Sequence, residues 1–246
     1  MSEIFPAKTI AIEVVQCTDQ DRIKEFNLWY DKEHVPYLRT VDGVVDVYRY
    51  IDTCFDYGEL GAKYTAPPGE PVRYLTVYRL NADDPWRLMQ ELKAAGGKSG
   101  FPDYCKRGEV TVWDFVAVRQ SLLPPVRPPV RLPDGMPESI LLVFAGMDPA
   151  KKREHDDWWL YTHSHDLLEL PGMTQCERFV SLDPSPGADD ANLLNIYEFD
   201  CDDPGAAFVR ILEDDKNIRR PQGRFSPYSR RTRNHASGVY THWDLM

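Results

Sequence analysis

The feature that most constrains the fold of this chain is an internal repeat. The stretch WYDKEHVPYLRTVDGVVDVYRYI (29–51) aligns residue by residue with WWLYTHSHDLLELPGMTQCERFV (158–180). The same spacing, without a gap, places 10–19 on 139–148. Further collinear matches place 74–85 on 193–204, 101–107 on 225–231, and Trp113-Asp114 on Trp243-Asp244. Such a series indicates two copies of one supersecondary unit, which bury a shared core by packing together.

Both halves show the same order of predicted elements. A buried strand comes first, and a helix follows that begins near Asp19 or Asp148 and ends before Gly43 or Gly172. Two strands, a second helix with an Asp-Pro start and a final strand complete each half. This βαββαβ order is the ferredoxin-like unit of the α+β class. Because its helices cover only one face of its sheet, the second copy is expected to cover the other face.

The expected division of the chain follows from the repeat. Residues 1–121 form the first ferredoxin-like repeat, 122–138 a proline-rich linker, and 139–246 the second ferredoxin-like repeat. Repeated prolines favour an extended conformation and remove backbone donors. We therefore expect the linker to cross the outside of the packed repeats without regular structure.

Composition narrows the functional classes. The formal net charge of −10 argues against binding to nucleic acid or to anionic membranes. No apolar stretch approaches the ~20 residues of a membrane span, and the N-terminus does not resemble a signal peptide. The five cysteines are scattered without a CxxC pair, so we expect a reduced, cytoplasmic protein with no zinc site.

The densest chemistry lies in the stretch NLWYDKEH (27–34). Asp31 precedes His34 by about one helical turn, so its carboxylate could orient the imidazole and raise its basicity, as in a general base. Tyr30 and Tyr37 are candidate donors to a substrate oxygen. The alternative is an exposed histidine near a helix end, where the helix dipole favours its charge.

The second half repeats part of this pattern. His163 stands at the position of His34, which favours a role for at least one of the two histidines. The other candidates for substrate contact are Trp29, Trp158, Trp159, Tyr161, His165, Arg49 and Arg178. The two arginines occupy matched strand positions among apolar residues, where a guanidinium needs an anion or a carbonyl as its partner. Trp29 and Trp158 also fit simple core packing.

Two further segments have open interpretations. His163 and His165 are two residues apart and point in different directions on a helix, so no metal site is expected. The segment 217–235 is rich in arginine. It is either a solvated loop that balances acidic neighbours or a docking patch for a carboxylate or phosphate.

The doubled pattern of strand, helix with W-Y-D-x-x-H-x-P, glycine-ended turn and strand resembles the dimeric α/β-barrel superfamily, and most of all its EthD-type branch. The resemblance spans nearly the whole chain. It implies that the two repeats form an intrachain dimeric α/β barrel, whose interior, or each cleft between helix and sheet, holds a small and largely apolar ligand. The superfamily includes cofactor-free monooxygenases, isomerases, polyketide cyclases, decarboxylases and haem enzymes, so the fold alone does not select a reaction. The second half departs from the motif at Trp159, Leu160 and His165.

The function expected from these residues is that of a cofactor-independent lyase or isomerase acting on a small, oxygenated organic molecule. In this hypothesis His34, oriented by Asp31, moves a proton, and Tyr30 or Tyr37 polarises an oxygen. His163 repeats that role or serves as the partner acid. One alternative is an oxygenase, either cofactor-free or haem-dependent, and another is a non-catalytic binding protein. The expected partner is the small molecule, and association of two chains into a homodimer stays open.

Overall fold

The computed structural model describes residues 4, 7–17, 19–52, 73–94, 110–127, 131–132, 135–184, 191–201, 203–224, 229–230 and 238–243. Its strands are β1 (Thr9–Cys17), β2 (Val44–Asp52), β3 (Arg73–Leu80), β4 (Val110–Leu123), β5 (Ser139–Met147), β6 (Met173–Ser181), β7 (Leu193–Phe199), the short β8 (Ser229–Arg230) and β9 (Gly238–His242). The α-helices are α1 (Ile23–Trp29), α2 (Val35–Leu38), α3 (Pro85–Ala94), α4 (Lys152–Trp158), α5 (Ser164–Leu168) and α6 (Pro204–Asp214).

Eight of the strands form a closed antiparallel barrel. Their order is β7-β6-β4-β1-β3-β2-β9-β5, and β5 pairs with β7 to complete the ring. The first half supplies the neighbours β4-β1-β3-β2, and the second half supplies β9-β5-β7-β6. The halves meet where β4 pairs with β6 and where β2 pairs with β9. The structure is therefore an α+β fold whose sheet is closed through two junctions between the halves.

The register of the first strands corrects the sequence alignment. Thr9 pairs with Leu80, and Ser139 pairs with Phe199, which is the match of Leu80 in the alignment of 74–85 with 193–204. Thr9 is therefore equivalent to Ser139, and the gapless match of 10–19 with 139–148 is wrong by one residue. Since neighbouring strand residues face opposite sides of a sheet, this slip would exchange the two faces.

The match of Trp113 with Trp243 is also wrong. Trp113 pairs with Val14 inside β4, whereas Trp243 follows the end of β9. The barrel pairing instead makes Trp243 equivalent to Gln120, because Thr9 pairs with Val118 and Ser139 pairs with Thr241. Most of the match between 101–107 and 225–231 lies outside the described residues.

The linker differs from the expected path. β4 continues to Leu123, which pairs with Cys176, so the predicted linker begins inside a barrel strand. Further along, Met136 is buried in the barrel core, and Arg131 forms a bridge with Pro137. Apolar burial of Met136 thus draws the linker inward, whereas a path over the outside was predicted. The prolines at 128–129 and 133 lie outside the described residues.

Apolar residues fill three layers. The barrel interior is packed by alternating side chains of all eight strands, including Ile10, Ile12, Leu142 and Phe144. A second cluster lies between α1, α2, α3 and the outer face of the first half, and a third lies between α4, α5, α6 and the second half. No helix among the described residues is long and apolar enough to cross a membrane.

The long helical segment of each half contains one π-helical turn at a matched position. In the first half this turn is Tyr30–His34, between α1 and α2, and in the second it is Trp159–His163, between α4 and α5. Such turns shift the direction of the following side chains and often occur at functional sites. Gly43 and Gly172 end the segments with the same φ of +88°, which confirms the predicted ends.

Candidate active site between the first helix and the sheet

Arg49 is the centre of the enclosed polar cluster in the first half. It lies on β2 with 4% of its surface exposed. Its Nη1 donates to Asp31 Oδ1, and its Nη2 donates to Asn27 Oδ1 at 3.0 Å. The guanidinium carbon lies 4.2 Å from the ring centre of Tyr30 and 4.9 Å from that of Tyr74. A charge-assisted contact and two aromatic faces therefore hold the cation in place away from solvent.

A carboxylate on β1 organises the hydroxyl groups beside this arginine. Tyr30 and Tyr78 each donate from their hydroxyl to Glu13 Oε2 at 2.8 Å. Because the single proton of Tyr30 goes to Glu13, the Thr76 hydroxyl donates to Tyr30, at 2.7 Å. Burial and the Glu13 charge raise the pKa of Tyr30 and of Tyr78 well above 10. Both phenols stay protonated at neutral pH.

His34 lies against the aromatic side of the same cluster. Its ring stacks on Trp29 with centroids 4.7 Å apart and meets the edge of Tyr30 at 4.8 Å. The side chain is 8% exposed, so it is turned from solvent as predicted. Burial, and secondly the charge of Arg49, lower the pKa of His34 from 6.5 to about 4. The imidazole is therefore uncharged at neutral pH.

The predicted pairing of Asp31 with His34 is wrong. Asp31 accepts from Arg49 through Oδ1 and from Trp243 Nε1 through Oδ2, the latter at 2.9 Å. Trp243 also donates its backbone N–H to the Arg49 carbonyl at 3.0 Å. The charge near His34 that changes its pKa is the Arg49 guanidinium and not a carboxylate. The pKa of His34 is therefore lowered, whereas a raised pKa was expected.

The second half holds an arginine at the matched strand position with different partners. Arg178 donates from Nε to Asn195 Oδ1 at 2.9 Å and from Nη1 to Asp156 Oδ1 at 3.1 Å. His155 Nδ1 lies 3.4 Å from Nη1, and the Trp159 ring centre lies 4.2 Å from the guanidinium carbon. Burial lowers the pKa of Arg178 to about 10. Asp156 aligns with Asn27 of the first half. The carboxylate that pairs with Arg178 therefore lies about one helical turn before the position of Asp31, which pairs with Arg49.

His163 repeats the stacked position of His34. Its ring lies on Trp158 with centroids 4.5 Å apart, and burial, followed by the charge of Arg219, lowers its pKa to about 3. The side chain of His163 is half-buried. Trp158 Nε1 donates to the Arg224 carbonyl at 3.0 Å, which places the segment after α6 over this side of the helix.

Three predicted site residues, unlike the tryptophans, lie outside either cluster: Tyr37, Tyr161 and His165. Tyr161 is 72% exposed, and His165 is also exposed. Tyr37 is half-buried and packs against the apolar cluster of the first half. The side chains of Trp29 and Trp159 are buried, and Trp158 is half-buried. The π-helical turns rotate the residues that follow them relative to a regular helix. This rotation is one reason why Tyr37 and His165 do not point into the clusters.

The described part of the arginine-rich segment binds acidic groups of its own chain. Arg219 donates to the Asp166 carbonyl at 2.7 Å and to Asp214, and Arg224 donates to the Asp166 carboxylate. These contacts favour the structural interpretation over an anion-docking patch. Within the described ranges no group of three or more His, Cys, Asp and Glu side chains is arranged to hold a metal ion.

Six residues of the cluster were missed by the sequence analysis: Glu13, Asn27, Tyr74, Thr76, Tyr78 and Trp243. Glu13 lies in the apolar stretch TIAIEVV, where a single acid among buried residues was a signal for a buried partner. Asn27 is the first residue of the stretch NLWYDKEH (27–34), and no role was expected for it. Its Nδ2 donates to the Tyr74 hydroxyl at 2.8 Å while its Oδ1 accepts from Arg49. The amide therefore connects β3, the first helix and the buried arginine.

Comparison with known proteins gives the fold. No protein-family profile and no curated sequence matches the chain. Among solved structures, an anthrone oxidase-like protein matches with a TM-score of 0.52 at 14% identity, covering 97% of this chain and 93% of that one. A provisionally assigned monooxygenase from Fusobacterium nucleatum has a TM-score of 0.47 at 9% identity, with the same coverage. Another from Lactobacillus acidophilus has 0.47 at 12%, covering 96% and 93%. The chain thus shares the α+β barrel architecture of an anthrone oxidase-like protein along nearly its whole length.

Proposed function

We propose that the protein is a cofactor-independent oxygenase that acts on a small, largely apolar molecule between the first helix and the sheet. The observation that carries the proposal is an uncharged, buried imidazole beside a buried guanidinium. His34 can accept a proton, and Arg49 can stabilise the anion that proton removal creates. The aromatic rings of Trp29, Tyr30 and Tyr74 make the surroundings apolar and suit a flat, unsaturated substrate.

The first step in this proposal is removal of a proton from a carbon that neighbouring carbonyl or aryl groups make acidic. With a pKa of about 4, His34 is unprotonated at neutral pH and is a weak base in the free protein. A substrate anion formed beside it would stabilise the imidazolium, so the transfer becomes favourable only with substrate in place. Arg49 would pair with the enolate or phenolate oxygen. Tyr30 stays protonated, held by Glu13, and keeps the guanidinium positioned.

Molecular oxygen is the second reactant. A carbanion can pass one electron to dioxygen, which gives a carbon radical and superoxide. These two radicals combine as a peroxide anion, and the proton held by His34 then converts this anion to a hydroperoxide. Loss of water from that hydroperoxide leaves a carbonyl, so one substrate methylene group and one dioxygen become one carbonyl group and one water. The methylene carbon supplies all four electrons, and no external reductant is needed. The chain's own residues would bind the substrate, hold the proton and exclude bulk water.

The first half is the better candidate for this chemistry. At the position of Tyr30 the second half has Trp159, and at that of Asp31 it has Leu160. There the arginine is held by Asp156 and Asn195, while the segment after α6 covers Trp158. We therefore place the reaction at His34 and assign His163 a structural role.

The similarity to a protein described as anthrone oxidase-like agrees with an oxygenase. The lyase or isomerase hypothesis shares the first proton transfer and differs in needing no dioxygen. We also infer that the two halves are tandem ferredoxin-like repeats of the EthD-type branch. The strand order repeated in each half and the matched π-helical turns support the duplication. A cytoplasmic location and a possible homodimer stay proposals.

The test measures dioxygen consumption with anthrone and a panel of related hydroxyaryl ketones. We expect one dioxygen consumed per product and, with isotopically heavy dioxygen, label in the new carbonyl group. His34→Ala should lower turnover by about 10²-fold. His163→Ala is the matched control, because it removes the equivalent imidazole of the other half, and turnover should persist. Equal conversion without dioxygen would support a lyase or isomerase. Equal losses in the two variants would contradict the assignment to the first half.

A further inference from the structure

The two buried arginines of the matched strand positions differ in one hydrogen bond. In the second half, Arg178 donates from Nε to Asn195 Oδ1 at 2.9 Å. In the first half, Arg49 Nε is buried and has no hydrogen-bond partner among the described residues. Both side chains are almost fully enclosed. A buried N–H group without an acceptor loses the hydrogen bond that it would make with water, so the first half carries an energetic cost that the second half avoids.

A single strand position accounts for this difference. Thr76 on β3 pairs with Arg49 on β2. Asn195 on β7 pairs in the same way with Arg178 on β6, so the two partner positions are equivalent. The asparagine amide reaches the Nε of its arginine. The threonine hydroxyl is on a shorter side chain and is hydrogen-bonded to the Tyr30 hydroxyl at 2.7 Å. Thr76 therefore leaves on Arg49 a donor that Asn195 binds on Arg178.

The other nitrogen atoms of the Arg49 guanidinium already donate to side chains. Nη1 donates to Asp31, and Nη2 donates to Asn27 Oδ1 at 3.0 Å. The ring centres of Tyr30 and Tyr74 lie 4.2 and 4.9 Å from the guanidinium carbon. Nε is therefore a single donor in aromatic surroundings, which suits one oxygen atom on a flat ring. A carboxylate pairs best with two parallel donors of a guanidinium, and here it would find only one.

We propose that Arg49 Nε binds the phenolate or enolate oxygen of the substrate, and that Thr76 is the specificity-determining residue that keeps this donor available. The inference rests on the proposed function, in which Arg49 stabilises the substrate anion. It adds the substrate class, a ring with one acidic hydroxyl or enol group and not a carboxylic acid. Because Nε is enclosed, an oxygen that reaches it replaces part of the surrounding packing and supplies the acceptor that this packing lacks.

The test uses para-nitrophenol, whose phenolate is yellow and whose neutral form is nearly colourless. The probe is titrated with the full chain in the absence of dioxygen, at a pH where the free probe is mostly neutral. We expect the bound probe to be yellow, because a buried guanidinium donor stabilises the phenolate. Para-nitrobenzoate, a carboxylate of similar size, should bind about 10-fold more weakly or less tightly still. A probe that binds only as the neutral phenol, or does not bind, would overturn the proposal.

Variants at the matched strand positions test the role of Thr76. Thr76→Asn places the amide of the second half beside Arg49 Nε and should weaken phenolate binding by about 10-fold or more. Thr76→Val has the shape of threonine but no acceptor for Nε, so it should lose less affinity. Asn195→Thr is the matched control and should bind the probe as the parent protein does. Equal affinity of Thr76→Asn and the parent would overturn the role of Thr76. Arg49→Lys keeps the charge without Nε, and parental affinity in this variant would overturn the role of Nε even if Thr76→Asn does not fold.

Failure of this inference and failure of the oxygenase proposal give different results. A yellow bound probe that Thr76→Asn displaces, together with no dioxygen consumption on any hydroxyaryl ketone, would support the anion site and contradict the oxygenase. Dioxygen consumption that Thr76→Asn does not lower would support the oxygenase and contradict the role of Thr76 in selecting its substrate.

Discussion

Trp243 donates from its indole Nε1 to Asp31 Oδ2 at 2.9 Å and so joins the end of the last barrel strand to the first helix. The same Asp31 holds the buried Arg49, so a residue of the second half completes the cluster of the first. The reverse contact also exists. Gln120, equivalent to Trp243 in the barrel, donates to Asp156 Oδ2 at 2.9 Å, and Asp156 holds Arg178. Each buried arginine therefore depends on a donor from the other half.

We expect Trp243→Phe to lower the free energy of unfolding by about 1–3 kcal/mol. The phenyl ring retains most of the contact with Tyr74, but the hydrogen bond to a carboxylate is lost. Chemical denaturation measures the change. Gln120→Leu is the matched control, because its bond is exposed and should cost less than about 1 kcal/mol. If the two variants lose the same stability, the indole bond has no special structural role.

We expect Asp31→Asn to cost about 3 kcal/mol, because the Arg49 charge is then left in a buried place without a carboxylate. The amide keeps the size of the side chain and an acceptor oxygen, so the loss reports mainly the charge. The comparison variant is Glu91→Gln, which breaks an exposed pair with Arg87 and should cost less than about 1 kcal/mol. Equal midpoints in urea for Asp31→Asn and the parent protein would show that Arg49 needs no counter-charge.

The buried histidines predict a loss of stability in acid. In the folded chain the pKa values of His34 and His155 are lowered from 6.5 to about 4, first of all by burial. Between pH 6.5 and 4 the unfolded chain therefore binds more protons than the folded one. Stability is complete above pH 6.5 and is lost as pH falls through this window. Denaturation at about pH 7 and pH 5 should show a decrease of about 1–2 kcal/mol from His34 alone, which His34→Asn should remove. An unchanged decrease in that variant would contradict a neutral, buried His34.

The sequence was sufficient for the order of the elements, because hydrophobic periodicity and Asp-Pro starts are local signals. Asp84, Asp148 and Asp203 accept the helix N-terminal hydrogen bonds expected of them. The partner of Asp31 could not be found in this way. Spacing along a helix suggested His34, whereas the real partners, Arg49 and Trp243, are brought in by strand pairing across the halves. A gapless alignment was likewise unable to detect the one-residue slip of β5, since both registers place apolar residues on both faces.

The turn after the first helical segment of the second half requires glycine at residue 172. Gly172 has a φ of +88°, and a Cβ built there would lie 3.1 Å from Cys201 Sγ. Gly172→Ala should therefore combine backbone strain with a close contact and cost more than the ~1 kcal/mol expected of strain alone. Gly135→Ala is the matched control, because its φ of +84° is similar but nothing lies within 4 Å of the added Cβ. The difference between the two variants in thermal or urea denaturation isolates the contact with Cys201. A double variant, Gly172→Ala with Cys201→Ala, removes Sγ but keeps the Cys201 Cβ, which lies 3.2 Å from the added Cβ, so it should recover part of that difference. Failure to recover any of it would show that the Cys201 sulfur does not select glycine at this turn.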